Sequence, residues 1–462
     1  MLSENKMALY NIASTVLIAG INFITIPIFT RMLDTAGYGI VNIYVAWVQI
    51  FTIFVGLKAD GSIGSAHANL PEEEQDSYHY SIMLLALLAF VVVLFFVVVL
   101  LYPLSQALSM SPVLTICAVV QSFGAFVISA FSMRFIFKKQ AQFNFALSVG
   151  LCVATTVLSV VLILFCFLGE DAYLGRVIGL VVPNVLIAFG LFSSLALSKQ
   201  RRFSISHWKF CLALTVPLIF HGLSQLLLAQ SGKIAIQQCY DNSLAGVFSI
   251  AVVIVTLLNA IYNALNNAFV PFMYDDLAGK TTAEVKQRHF RNYFTSFTFG
   301  AAAFVLISPE ILKLMTTEAY WSSIPVLPFL VFGQYCVFLY SFPVNYEFYK
   351  MRTKSVAIGT TCAAVINIIL LFLLVPYYGM LGAAFSTMIS YLLLFVFHFC
   401  IARFLLGDRN YPARYYLYGL LLMGFICAGC LLTMDLPILR WIFAVLMLAS
   451  VAFRIWKTKS VF

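Results

Sequence analysis

Charge is scarce in this sequence. Asp, Glu, Lys and Arg make up 10% of 462 residues, against 62% apolar, whereas soluble domains carry about 25% charged residues. A soluble globular protein is excluded. Long polar stretches are also missing. The longest gap between apolar runs, Lys58 to His79, reads as a solvated loop carrying the acidic run Glu72-Glu73-Glu74-Gln75-Asp76. That leaves no room for a soluble catalytic domain. There is no nucleophile elbow, no glycine-rich phosphate loop and no carboxylate pair in polar surroundings, so no enzyme is expected. The ten Cys lie inside or at the ends of apolar runs, where Cys behaves as a small hydrophobe. Cys427 and Cys430 form a CxxC without a second pair or a nearby His cluster. Zinc needs about four converging ligands, so no metal or cofactor is expected.

What is present is apolar length. Mean hydropathy is +0.98, and about 20 apolar residues in a helix cross a ~30 Å hydrocarbon core. Fourteen runs meet that length: Leu9–Thr30, Tyr38–Leu57, Tyr80–Tyr102, Val113–Phe137, Phe143–Leu168, Tyr173–Leu197 and Phe210–Gln238, then Leu244–Tyr274, Tyr293–Met315, Trp321–Tyr346, Val356–Tyr378, Met380–Leu406, Tyr415–Met434 and Leu436–Ile455. They are too long and continuous for barrel strands, which alternate over about ten residues. The fold class is an all-α polytopic membrane protein with about 14 transmembrane helices. The first apolar run lacks a small-x-small cleavage site and is expected to remain as the first span.

Of the 27 basic residues, all but Arg31, Arg176, Lys233, Lys313 and Arg440 fall in alternate gaps between these runs. Short cytoplasmic loops collect Lys and Arg. The rich gaps, among them Arg134-Lys138-Lys139, Lys199-Arg201-Arg202-Lys209 and the tail with Lys457 and Lys459, are therefore expected in the cytoplasm, together with both termini. The net charge of +9 follows from this orientation and calls for no nucleic acid. Trp208, Trp321, Trp441 and Trp456 sit at span ends, as an aromatic belt places them.

A weak internal repeat is visible. Asp34 and Gly39 recur as Asp241 and Gly246, 207 positions later, and Leu174-Gly175 recurs as Leu381-Gly382 at the same offset. The offset carries span 1 onto span 7. With six spans per unit, both units keep one orientation. The expected organisation is a six-helix bundle over 1–205, a second over 206–408, and an appended two-helix hairpin with its tail over 409–462. Gly and Pro interrupt several spans, among them Pro27, Pro183, Pro217, Pro271, Pro325, Pro328 and Pro343.

Several polar residues stand inside the spans. Asn259, Asn263, Asn266 and Asn267, with Tyr262 among them, cover an arc of about 140° on one helix. Amides facing lipid are costly, so the stripe serves interhelical hydrogen bonds or a hydrophilic wall that meets sugar hydroxyls. Lys233 sits late in span 7 with Gln230 and Gln237 on its face. An embedded ammonium costs ~2.5–3.5 kcal/mol on insertion scales. Lys233 either reaches to the outer interface or binds an anionic substrate. Arg31, with Asp34 three residues on, poses the same choice. Lys58 and Arg134 lie at cytoplasmic ends, where topology explains them and a phosphate entering from inside could meet them. His221, His398, Glu310 and Glu347 are the titratable groups placed to carry a coupling proton, set against a plain packing role.

The segment Pro27-Ile-Phe-Thr-Arg31-Met-Leu33-Asp-Thr-Ala-Gly37-Tyr38-Gly39 resembles the opening signature of bacterial polysaccharide-export flippases. The segment from Ser231-Gly232-Lys233 through Gly246-Val-Phe248-Ser249-Ile-Ala251 to Pro271 resembles their seventh and eighth helices. One departure is Gly232, where many relatives carry an Asp before the basic residue. The family belongs to the multidrug/oligosaccharidyl-lipid/polysaccharide exporters. The resemblance implies translocation of undecaprenyl-diphosphate-linked oligosaccharide units, for O-antigen or capsule, across the bacterial inner membrane by alternating access. On that reading the candidate diphosphate contacts are Lys233, Arg31, Lys58 and Arg134, since a diphosphate needs cationic hosts, and the Asn stripe is the candidate glycan contact. Partners are then the lipid-linked oligosaccharide and membrane lipids, with a polymerase and a chain-length regulator of the same pathway as further candidates. Coupling to a proton or sodium gradient is compatible with this reading. The alternatives are a cation-coupled drug antiporter of the same superfamily and a membrane polysaccharide polymerase or ligase. The short outer gaps argue against the latter.

Overall fold

In hydrocarbon a backbone must satisfy its own hydrogen bonds, which leaves helices or closed barrels. The computed structural model is helical, with no strand among the described residues, 4–197 and 202–458. Lys199, Arg201 and Lys459 of the basic set lie outside these residues, as does the side chain of Lys6. The helices are α1 (Glu4–Met32), α2 (Thr35–Gly56), the short α3 (Ile63–Asn69), α4 (Glu72–Val99), the short α5 (Leu101–Ala107), α6 (Pro112–Phe137), α7 (Ala141–Phe165) and α8 (Ala172–Ala196). They continue with α9 (Ile205–Cys239), α10 (Asn242–Leu277), α11 (Ala283–Met315), α12 (Leu327–Tyr349), α13 (Thr353–Cys400), α14 (Ala413–Leu432) and α15 (Pro437–Thr458).

Twelve helical stretches among the described residues are long and apolar enough to span a membrane. One of them, Thr353–Leu405, is too long for one crossing, and α13 within it breaks at Gly379 (φ 52°, ψ −127°). The boundary expected between Tyr378 and Met380 falls on that residue. A side chain there is strained, so Gly serves as the hinge of two spans. With α1, 29 residues long and interrupted only by Pro27, the helices follow the fourteen apolar runs of the sequence.

Helix ends depart from the runs where polar residues favour helix. The acidic stretch Glu72–Asp76 forms the opening turns of α4 rather than a loop, because carboxylates favour the positive end of the helix dipole. Likewise α11 starts at Ala283, where the Thr282 hydroxyl accepts from the Val285 N–H (3.3 Å). Pro325 and Pro328 do not kink a span. Pro325 lies in a 3₁₀ turn (Glu318–Val326) and Pro328 in the first turn of α12, where a missing N–H loses no bond.

The chain divides into two compact units, Met1–Leu226 with Asp241–Gly246, and Leu227–Tyr240 with Val247–Phe462. In the first, Tyr78, Ile82, Phe126 and Phe131 build a core between α4 and α6 that takes in Cys211 of α9. The start of α9 is tied to α4 by Trp208 Nε1 donating to the Ser81 carbonyl (2.7 Å) and by a Ser81–His207 contact (3.1 Å). Helices α7 and α8 approach closely because Gly179 faces Ser159 and Gly175 faces Ile163, the small-residue contact favoured between membrane helices. In the second unit, rings stack in the interior: Phe269 on Tyr293, Phe297 on Phe338 and Phe290 on Tyr411, each at 4.3 Å between centroids.

The two copies of the Asp-to-Gly repeat meet inside the first unit. Asp34 Oδ1 accepts from Gly37 N (2.7 Å) and Asp241 Oδ1 from Leu244 N (2.7 Å), so each Asp caps a helix start. The hydroxyls of Thr35 and Ser243 are 2.6 Å apart. A Cβ on Gly39 runs into the Asn242 carbonyl, and one on Gly246 into that of Thr35. Backbone on both sides leaves no side chain to yield. Gly39→Leu is therefore expected to destabilise at or above the upper end of the 1–3 kcal/mol typical of overpacking, read as a lowered Tm of the detergent-solubilised chain. An unchanged Tm would show that the two helix starts do not need this contact.

Candidate functional site

Lys233 is a buried cation of the second unit that, unlike the likewise buried Arg440, has no carboxylate beside it among the described residues. Standing on α9, it is 8% exposed. No carboxylate pairs with it among the described residues. Gln237, one turn on, is also buried, and Gln230, one turn back, is half-buried. Beside this stretch Ser231 accepts from Asn367 Nδ2 (2.9 Å), and Asn367 Oδ1 accepts from the Ser390 hydroxyl (3.3 Å). This is a neutral polar chain linking α9 to both limbs of α13.

A cavity of about 130 Å³ opens against α9 within the same unit. Leu228, Ala229 and Gly232 form one wall, and Asn259, Gln334 and Tyr391 bring polar groups from α10, α12 and α13. Asn259 Oδ1 accepts from Gln334 Nε2 (3.1 Å) and from Asn263 Nδ2 (3.3 Å), which leaves the Asn259 NH₂ as a donor. The structure thus places Asn259 in a cavity, Asn263 and Asn267 at the exposed surface of the unit, and Asn266 half-buried with its Oδ1 unpaired. Gln334 was not singled out from sequence. An amide inside the apolar run of α12 was the available signal.

The other charged candidates are held by neighbours. Arg31 is exposed, and its Nη1 donates to the Pro27 carbonyl (2.9 Å). Lys58 is half-buried in a left-handed conformation (φ 54°), with its stem against the bare backbone of Gly222, next to His221. Arg134 and Lys138 share the Asp76 carboxylate at 2.8 and 2.6 Å. His79 lines the same small pocket, 3% exposed, with neither ring nitrogen hydrogen-bonded. At the loop after α10, the Asp275 carboxylate accepts from Lys280 (2.7 Å) and holds that ammonium above the ordinary lysine range.

Two candidates read separately from the sequence come together. His398 Nδ1 lies 2.5 Å from Glu347 Oε1, both side chains fully buried, and the Ser355 hydroxyl donates to Glu347 Oε2. His398 Nε2 has no partner and faces Gly359. A carboxylate and an imidazole in hydrogen-bond contact can hold one proton between them. Glu310, by contrast, accepts from Arg440, which is 1% exposed and also donates to the Leu306 and Met434 carbonyls. Arg176, another of the five exceptions, lays its guanidinium 3.9 Å from the Phe29 ring centroid and donates to the Ser159 hydroxyl (2.9 Å). Among the described residues, no group of His, Cys, Asp and Glu has the makings of a metal site.

Comparison with known proteins agrees with this architecture. The structure is similar to that of the lipid II flippase MurJ in its inward closed conformation, with a TM-score of 0.68 at 13% identity, covering 98% of this chain and 99% of the other. It is also similar to the MATE multidrug transporter DinF-BH, with a TM-score of 0.63 at 17% identity over 88% and 96% of the two chains. In sequence it is 22% identical over 383 residues to the Lsg locus putative protein 1 of Haemophilus influenzae, covering 78% of this chain and 90% of that protein. An uncharacterized membrane protein of the same organism is 23% identical over 387 residues, covering 80% and 87%. The sequence model of one family, described as polysaccharide biosynthesis protein, matches residues 5–275. This chain, a multi-pass membrane protein with the fold of the transporters and flippases of the MOP superfamily, belongs to the polysaccharide biosynthesis protein family.

Proposed function

We propose that the protein is a flippase that carries undecaprenyl-diphosphate-linked oligosaccharide units, for O-antigen or capsule, from the inner to the outer leaflet of the bacterial inner membrane by alternating access. Both termini then lie in the cytoplasm, and the bundles over 1–205 and 206–408 are the parts that alternate, with 409–462 appended. The observation that carries the reading is Lys233, an ammonium buried without a carboxylate partner among the described residues. Such a charge is costly in a membrane unless an anion or water meets it. A diphosphate is an anion that a lipid-linked sugar brings. The amides of Asn259, Gln334 and Gln230 suit the sugar, because they both donate and accept. Arg31, Lys58 and Arg134 serve as further contacts on the route, and the Glu347–His398 pair carries a coupling proton.

The test is reconstitution of the full chain in proteoliposomes with fluorescent undecaprenyl-diphosphate-linked oligosaccharide. Transfer between leaflets is expected, stimulated by an imposed pH gradient, and Glu347→Gln is expected to remove the stimulation while leaving Lys233 in place. Efflux of cationic dyes with no lipid transfer, insensitive to loss of Lys233, would instead identify the drug antiporter of the same superfamily.

A further inference from the structure

The first unit contains a cavity of about 510 Å³ that none of the charged candidates enters. It lies among α1, α6, α7 and α8, and its polar lining includes Asn22, Gln121, Ser148, Cys152, Thr155 and Asn184. No Asp, Glu, Lys, Arg or His lines it among the described residues. Its volume falls within the about 300–1,000 Å³ of small-molecule sites.

The polar groups are set rather than loose. The Tyr44 hydroxyl donates to Gln121 Oε1 (2.6 Å), which orients that amide and leaves its NH₂ without a partner among the described residues. Asn184 is 7% exposed, and its Oδ1 is buried with no hydrogen bond, set against the backbone of Gly124. The Ser148 hydroxyl has no partner among the described residues either. Ser129 and Ser132, also in the lining, are committed to Asp60 (2.7 Å) and Asn144 (2.5 Å). A buried amide without a partner costs free energy, so this wall is suited to a ligand that both donates and accepts. Ile18, Ile128, Leu151 and Leu180 supply apolar surface between the polar groups.

Charge decides the class. An inorganic cation lacks a carboxylate here, a phosphate lacks a cation, and a hydrocarbon tail leaves the amides unpaired. We infer that this cavity binds a neutral sugar residue, its hydroxyls on Gln121, Ser148 and Asn184 and its C–H faces on the aliphatic wall. The assignment of that sugar to a lipid-linked substrate rests on the flippase reading; the binding of a sugar does not.

Cys152 lines the cavity, its Sγ 3.8 Å from Asn22 Oδ1, and reports on occupancy. Labelling of Cys152 by N-ethylmaleimide is followed by mass spectrometry on the purified full chain in nanodiscs. The probes are undecaprenyl diphosphate, undecaprenyl-diphosphate-linked N-acetylglucosamine and a panel of free neutral monosaccharides. A sugar-bearing probe at ten times its dissociation constant is expected to slow labelling about ten-fold, and bare undecaprenyl diphosphate is not. Asn184→Leu and, independently, Ser148→Leu are expected to lose the protection while eluting as the parent chain does. Equal protection by the bare lipid, protection by no sugar-bearing probe, or protection undiminished in both variants overturns the assignment. Should monosaccharides protect Cys152 in a chain that moves no lipid-linked sugar in proteoliposomes, the flippase reading falls and the sugar site stands.

Discussion

Lys233→Met is expected to abolish surface polysaccharide while the protein accumulates in the membrane at its normal level or above. Met keeps the length of the side chain and removes the charge. Because Lys233 is 8% exposed and faces no carboxylate among the described residues, removing the ammonium relieves part of the ~2.5–3.5 kcal/mol that embedding it costs. Stability and function should therefore move in opposite directions, an outcome that a purely structural lysine does not produce. Lys233→Arg keeps the charge and the hydrogen bonds to phosphate oxygens, and it is expected to retain most of the transport. The measurement is quantitative immunoblotting of membranes beside detection of surface polysaccharide in the same cells. Normal polysaccharide in the Met variant would remove Lys233 from the substrate path. A drop in protein level in step with polysaccharide would make it a folding residue.

Glu310→Ala is expected to have the largest effect on stability. Arg440 is 1% exposed and hydrogen-bonds Glu310 across α11 and α15. Its remaining partners, the carbonyl oxygens of Leu306 and Met434 and the Cys430 side chain, include no carboxylate. Breaking a buried pair from one side leaves an uncompensated charge and costs about 3–5 kcal/mol. The double variant Glu310→Met/Arg440→Met removes both charges, and such replacements are often neutral, so it should recover most of the loss. Thermal unfolding of the solubilised chain measures both. A Tm of Glu310→Ala equal to that of the parent would show that the pair does not hold the last helix. If the double variant also keeps its response to a pH gradient, Glu310 is not the coupling carboxylate, and the Glu347–His398 pair is left to carry the proton.

The division between what was legible and what was not runs through particular residues. The break at Gly379 could be read because Tyr377-Tyr378-Gly379 interrupts an apolar stretch too long for one crossing. The match between Asp34–Gly39 and Asp241–Gly246 could be read as a repeat. Its meaning, two backbones pressed together where no Cβ fits, could not. Glu347 and His398 were each noticed as titratable groups in apolar runs, yet 51 positions separate them and nothing local pairs them. The cavity of the first unit was missed for a related reason. Ser, Thr and Asn scattered through four helices are ordinary in membrane spans, and only packing shows which of them share a void.

Composition and order alone determined that this chain crosses a membrane as many helices and where its basic gaps fall, because a bilayer demands about 20 apolar residues per crossing. They also placed it near a family, through short motifs at helix ends where local backbone geometry restricts the residue. Tertiary structure alone decided the fate of its charges. Arg134, Glu310 and Arg440 find partners on other helices, Glu347 and His398 find each other, and Lys233 finds no counter-charge among the described residues. Pairing across helices depends on rotation and depth in the packed bundle, which hydrophobic periodicity along a single helix does not encode.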